Sequence, residues 1–255
     1  MLILSQYNMR LIVDVGNSEI KMAFYDNGLL YKTHFKTKEA TSDVLFNEIS
    51  EFSKGKEGIS EAFIASVLPS LNRMIAESIA LVLGIKAKVL DSSFNKKVLM
   101  DIDNPLEVGA DLVADIVGAT NKYGFPLLIC DLGTVSKYLS IDDRGYFVGA
   151  SFTPGLQISM NAFHSNTELL PSDNINEAPM KVYGKNTNEC MSSGVYYGTI
   201  FAIEGYLNEM RKLFPNAKCV ITGGFSNIIK DKKDYIIDPN LTLDGLDIIY
   251  RKLGD

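Results

Sequence analysis

Residues 12–28 read IVDVGNSEIKMAFYDNG, and residues 127–145 read LLICDLGTVSKYLSIDDRG. Each is an apolar run, an Asp-x-Gly bend with a small polar residue, then a second strand-like run closed by a turn. A strand that bends at glycine and returns is a hairpin pattern. Seen once it says little, because Asp-Gly bends are common. Seen twice in one chain it points to duplication.

The flanks repeat as well. After the first bend come a strand, an Asp-Asn-Gly turn and another strand, then helix-like 42–53, an apolar run at 61–71, helix-like 72–84 and a short run at 86–90. After the second come runs at 135–142 and 146–152 around an Asp-Arg-Gly turn, helix-like 192–214, and a run at 217–224 ending in two glycines. The order β-β-β-α-β-α-β is expected in both halves, with strands alternating with helices in an α/β fold. The boundary falls in the helix-like stretch 104–124, giving domains 1–118 and 119–255. One α/β domain with two coincidentally similar hairpins is the competing reading. Residues 164–190 form the longest stretch without periodicity, a functional loop or a disordered one.

Composition narrows the class. The chain has 255 residues, 46% of them hydrophobic and 22% charged, with a formal net charge of −6. That is material for two domains of roughly 100–150 residues each. The acidic balance argues against nucleic acid as the main partner. No stretch approaches the roughly 20 apolar residues of a membrane span, and the opening MLILSQYNMRLIVDVG reads as a first strand rather than a signal peptide. Either Met1 or Met9 could start the chain. Three scattered cysteines, without metal spacing, fit free thiols in a cytoplasmic protein. Cys130, inside an apolar run, reads as a buried hydrophobe. With two distant histidines, His34 and His164, a histidine triad or zinc centre is not expected.

The bends themselves carry chemistry. Gly16 lets backbone approach an anion, Asn17 and Ser18 add donors, Asp14 can hold a hydrated cation, and Lys21 can offset phosphate charge. Asp131, Gly133 and Thr134 form the second bend. If the halves pack as copies, both bends face one cleft and grip a polyphosphate with its metal ions. Gly223 and Gly224 end a strand where a nucleotide can lie on bare backbone. Neither a P-loop nor a Rossmann fingerprint is present. The three-part arrangement resembles that of the actin, sugar kinase and Hsp70 superfamily. Asp111, early in a helix, is the candidate proton acceptor for a hydroxyl, with Asp115 one turn on as reserve or as helix surface or packing.

With these pieces in order, the chain resembles type III pantothenate kinases over nearly its whole length. The segments are DVGNSEIK at 14–21, NPLEVGAD at 104–111, DLGT at 131–134, GASFTPGLQISMNAFHSNTELLP at 149–171, GKNTNECMSSGVYYG at 184–198, ITGG at 221–224 and LTLDGL at 241–246. The resemblance implies two ribonuclease H-like domains around a cleft, and ATP-dependent phosphorylation of pantothenate as the first step towards coenzyme A. Asp111 would accept the proton. Asp14, Val15, Gly16, Asn17, Ser18, Glu19, Ile20 and Lys21 would bind ATP, together with Gly133, Thr134, Gly223 and Gly224. Gly109, Ala110, Asp111, Leu112 and Thr187 would meet pantothenate. Asp131 would hold a monovalent cation, potassium or ammonium, and Asp14 the magnesium of ATP through water. A homodimer is implied too.

Three departures bear on the acceptor. Leu112 stands where the family has arginine, Leu106 where it often has tyrosine, and Val135-Ser136-Lys137 replaces Ala-Thr-Thr. Losing an arginine–carboxylate contact costs about 1.5–3 kcal/mol, or one to two powers of ten in pantothenate affinity. Lys137 could supply a compensating cation or face solvent. The departures keep two alternatives open: a weak or inactive relative that binds nucleotide or pantothenate as a regulator, and a superfamily kinase for another hydroxyl.

Overall fold

A computed structural model describes residues 8–229 and 234–253. The choice between Met1 and Met9 as start, and the reading of the first seven residues, lie outside the described residues. The chain divides into two compact units: residues 1–97, 106–118 and 242–255 in the first, and 98–105 and 119–241 in the second.

In the first unit, β1 (Met9–Val15) is buried at every residue. It pairs antiparallel with β2 (Glu19–Tyr25) and parallel with β4 (Ile59–Ser66). The edges are β3 (Leu29–Lys36) and the two-residue β5 (Lys88–Val89), giving the order β3-β2-β1-β4-β5. Helix α1 (Ser42–Ser53) starts where Thr41 Oγ1 accepts from Val44 N–H at 3.2 Å, a side-chain cap for an otherwise unpaired helix donor. Helix α2 (Pro69–Leu83) has proline in its first turn and stops at left-handed Gly84. Leu45, Ile49, Ile75 and Ile79 from the two helices join Leu11, Val13, Ile20 and Phe24 in one core.

The second unit repeats the plan. Strand β6 (Leu127–Leu132), also wholly buried, pairs antiparallel with β7 (Val135–Ile141) and parallel with β9 (Lys218–Thr222). With β8 (Phe147–Pro154) and β10 (Tyr235–Ile237) the order is β10-β9-β6-β7-β8. Numbered within each unit, both sheets run 3-2-1-4-5 with the second strand antiparallel. The duplication read from the two bends is therefore real, and each unit has the ribonuclease H-like topology. Helix α5 (Thr187–Leu213) lays Tyr196, Ile200, Ile203 and Leu207 on the second sheet.

The copies differ in their crossovers. Helix α4 (Leu156–Asn166) precedes α5, so two helices separate the third and fourth strands of the second copy. Between β9 and β10 the described residues hold a single 3-10 turn, 226–228, and no α-helix. The expectation of one β-β-β-α-β-α-β order in both halves thus holds only for the first.

Helix α3 (Ala110–Tyr123) contains the 118/119 position, and α6 (Leu241–Leu253) packs into the first unit from residue 242 onward. Its anchors are specific. Arg10 Nε on β1 donates to Asp247 at 3.0 Å, Tyr25 Oη donates to Asp244 at 2.7 Å, and the Tyr250 ring lies 5.3 Å from that of Phe63. Thr242 Oγ1 donates to Asp115 at 2.7 Å. Asp115 is fully buried by this packing, which removes it from the helix surface and from the role of reserve base.

Candidate active site

The first bend is the three-residue link between β1 and β2. Gly16 N–H donates to Glu19 O at 3.0 Å and closes it. Buried Thr37 braces it from behind, its hydroxyl donating to Gly16 O at 2.8 Å and its N–H to Ser18 O at 2.9 Å. With those carbonyls tied back, Asn17 and Ser18 are exposed at the tip. Asp14, at the strand end, is buried, and its cross-strand register partner is Lys21. Lys21 Nζ stands 3.9 Å from the Asp14 carboxylate, its side chain one-third exposed. A carboxylate at a strand end suits magnesium that keeps its waters and takes its other ligands from phosphates. Among the described residues no group of three or more His, Cys, Asp or Glu is placed to hold a metal by itself.

The second bend has two residues, Gly133 and Thr134, between β6 and β7. Two distant segments of the same unit pack on it. Gly155 N–H, just before α4, donates to Thr134 O at 3.1 Å, and Phe225 N–H donates to Leu132 O at 3.0 Å. Gly223 has φ +89°, and a Cβ there would lie 2.5 Å from Asp131 Oδ1. Only glycine meets both requirements. Ser226, buried, donates its hydroxyl to Gly223 O at 2.7 Å and fixes the turn. The structure thus brings Asp131, Gly133, Thr134 and Gly223 together, and adds Gly155, whose contact with the bend the residue pattern did not reveal. Gly224 stands clear, with open space where a side chain would be.

Lys137 is not solvent-facing. It is the register partner of Asp131, as Lys21 is of Asp14. Its Nζ donates to Asp131 Oδ2 at 2.6 Å, with the two side chains only 16% and 11% exposed. The spacing in sequence hid the equivalence, because the second bend is one residue shorter than the first.

Asp111 occupies the first turn of α3, where the helix dipole favours a carboxylate. Leu112 N–H donates to Asp111 Oδ1 at 2.9 Å. A Cβ at Gly109 would sit 2.7 Å from that oxygen, so the glycine makes room for the carboxylate. Leu112 is half-buried, and Leu106 lies exposed in the short turn 105–107. Thr187, exposed, opens α5 next to Asn186, whose side chain accepts from Glu189 N–H at 3.0 Å. Residues 167–186 are irregular, as the missing periodicity implied. Cys130 is buried, and that burial, with the Cys219 sulfur 3.9 Å away, pushes its thiol pKa up. It is no nucleophile.

The sequence pattern of type III pantothenate kinases matches residues 10–209. The chain belongs to the type III pantothenate kinase family. A type III pantothenate kinase of Listeria monocytogenes serovar 1/2a is 30% identical over 253 residues, covering 96% of this chain and 97% of the relative. One from Finegoldia magna is 34% identical over 251 residues, covering 94% and 95%. Among solved structures, a Sinorhizobium meliloti protein provisionally named a 2-dehydro-3-deoxygalactonokinase matches with a TM-score of 0.53 at 13% identity, over 96% of this chain and 99% of that one. Together with the doubled 3-2-1-4-5 order, the likeness assigns the fold of actin, the sugar kinases and Hsp70. No described helix is long and apolar enough to cross a membrane.

Proposed function

We propose that this pantothenate kinase family member transfers the γ-phosphoryl group of ATP to the primary hydroxyl of pantothenate in the cytoplasm, giving 4'-phosphopantothenate and ADP on the route to coenzyme A. The observation that carries the reading is the retained Gly109-Ala110-Asp111 turn, with the carboxylate at a helix start, inside a family match that spans both bends. In this reading Asp111 accepts the hydroxyl proton as the oxygen attacks phosphorus, and the bridging oxygen leaves on ADP. Positioning and charge do most of the work in such transfers.

Residues 14–21 take the ATP phosphates, with Lys21 free enough of Asp14, at 3.9 Å and one-third exposed, to swing towards them. Asp14 would hold magnesium through water, and the ion would offset phosphate charge. Gly133 and Thr134 serve the second bend, Gly223 and Gly224 the adenosine, and Thr187 the pantothenate. The monovalent cation expected at Asp131 does not fit: one oxygen of that carboxylate carries Lys137 Nζ, and the other lies against the Gly223 turn. A homodimer is part of the reading. It is supported by the exposed apolar side chains of the second unit, Phe152, Leu169, Met180, Val182, Tyr183 and Phe201.

Leu112 favours a second reading, a kinase whose acceptor has no carboxylate for an arginine to grip. ADP release measured with pantothenate, pantetheine and simple alcohols separates the two. Turnover highest with pantothenate supports the first, and turnover only with an uncharged acceptor supports the second.

A further inference from the structure

The two bends are built alike down to a lysine, and the two lysines behave differently. In the first copy the bend spans residues 16–18 and in the second 133–134, so Lys21 and Lys137 take the same place across from their aspartates. Lys21 stands off at 3.9 Å and is one-third exposed, whereas Lys137 is clamped at 2.6 Å and mostly buried. A carboxylate beside a phosphate-binding bend needs a counter-charge, or it repels the phosphates it should help to seat. The counter-charge can be an alkali ion, a free ammonium ion, or an ammonium group supplied by the chain.

We infer that Lys137 is a built-in monovalent cation: its ammonium takes the place at Asp131 that potassium or free ammonium would fill, so nucleotide binding at the second bend needs neither ion. Three observations carry this. Lys137 Nζ already bonds Asp131 Oδ2. Asp131 Oδ1 faces the backbone of the Gly223 turn, so tightly that a Cβ there would come within 2.5 Å. A second cation on this carboxylate would also meet the like charge of Lys137 where little water screens it. The inference rests on the kinase reading for its nucleotide, but not for the ion pair.

The test compares wild type with Lys137→Ala and with Lys137→Gln, which keeps most of the stem. ADP affinity and melting temperature are measured in potassium, ammonium, methylammonium or N-methylglucamine chloride at one ionic strength. Wild type should show the same affinity and melting temperature in all four. The variants should bind ADP about tenfold more weakly in N-methylglucamine, and ammonium, methylammonium or potassium should restore both binding and melting temperature. Wild-type affinity or melting temperature that rises with potassium overturns the inference, as do folded variants indifferent to every cation. If neither variant folds, the wild-type comparison alone decides. Should wild type bind no ADP at all, the kinase reading fails, while the melting temperatures still judge the ion pair.

Discussion

At the scale of single residues, the proposed function rests on Asp111 as the proton acceptor. Asp111→Asn keeps the size and the acceptor for Leu112 N–H but cannot take a proton. It should lower kcat by at least about two powers of ten and leave ADP affinity within about twofold, read by coupled ADP release and by calorimetry. A variant that still turns over at a tenth of the wild-type rate would assign the base elsewhere. The candidates for this chemistry stand out in the chain: Asp14, Asp131 and Asp111 are marked by type and by neighbouring glycine. Lys137 was not. A residue on a strand can point either way, and its partner is set by the length of the bend, which only the register reveals. Asp115 stayed open between reserve base, helix surface and packing for a similar reason, since what buries it is Thr242 and helix α6, far away in sequence.

At the scale of elements, the glycine turn after β9 links packing to the site. Gly223→Ala adds a methyl at φ +89° against Asp131 and should destabilise the protein by about 1–3 kcal/mol. Gly224→Ala enters open space and should cost less than about 0.5 kcal/mol, while weakening ADP binding if adenosine lies there. Thermal unfolding and an ADP titration on each variant check both. Equal melting temperatures would contradict the account of the turn. The first meander and helices α1, α2 and α5 were readable because apolar period, caps and turns agree. Helix α4 was not, since it follows Pro154-Gly155 directly and buries only Leu156 and Met160. Helix α6 hid behind Asp244, Gly245 and Asp247, residues that look like a loop until Tyr25 and Arg10 are seen to meet two of them.

At the scale of the whole molecule, duplication explains the sheets, and helix α6 packs back into the first unit. Arg10, with its side chain 10% exposed, depends on Asp247 for its counter-charge. Asp247→Ala should therefore destabilise the protein by about 3–5 kcal/mol, lowering the urea midpoint without altering ADP affinity per folded molecule. A loss below about 1 kcal/mol would mean that the Arg10–Asp247 pair contributes little to holding α6. The doubled bend carried the topology from the start, because two similar hairpin patterns point to two similar sheets. The acceptor was less open to reading, since Leu112 and Leu106 change the residues that would recognise it.

The most direct measurement is phosphorus NMR of purified protein with ATP, magnesium and pantothenate in sodium- and potassium-free buffer. The account predicts a phosphomonoester resonance on pantothenate growing in step with ADP, and none with Asp111→Asn. ATP left intact at millimolar pantothenate, or ADP appearing without the ester, would contradict it.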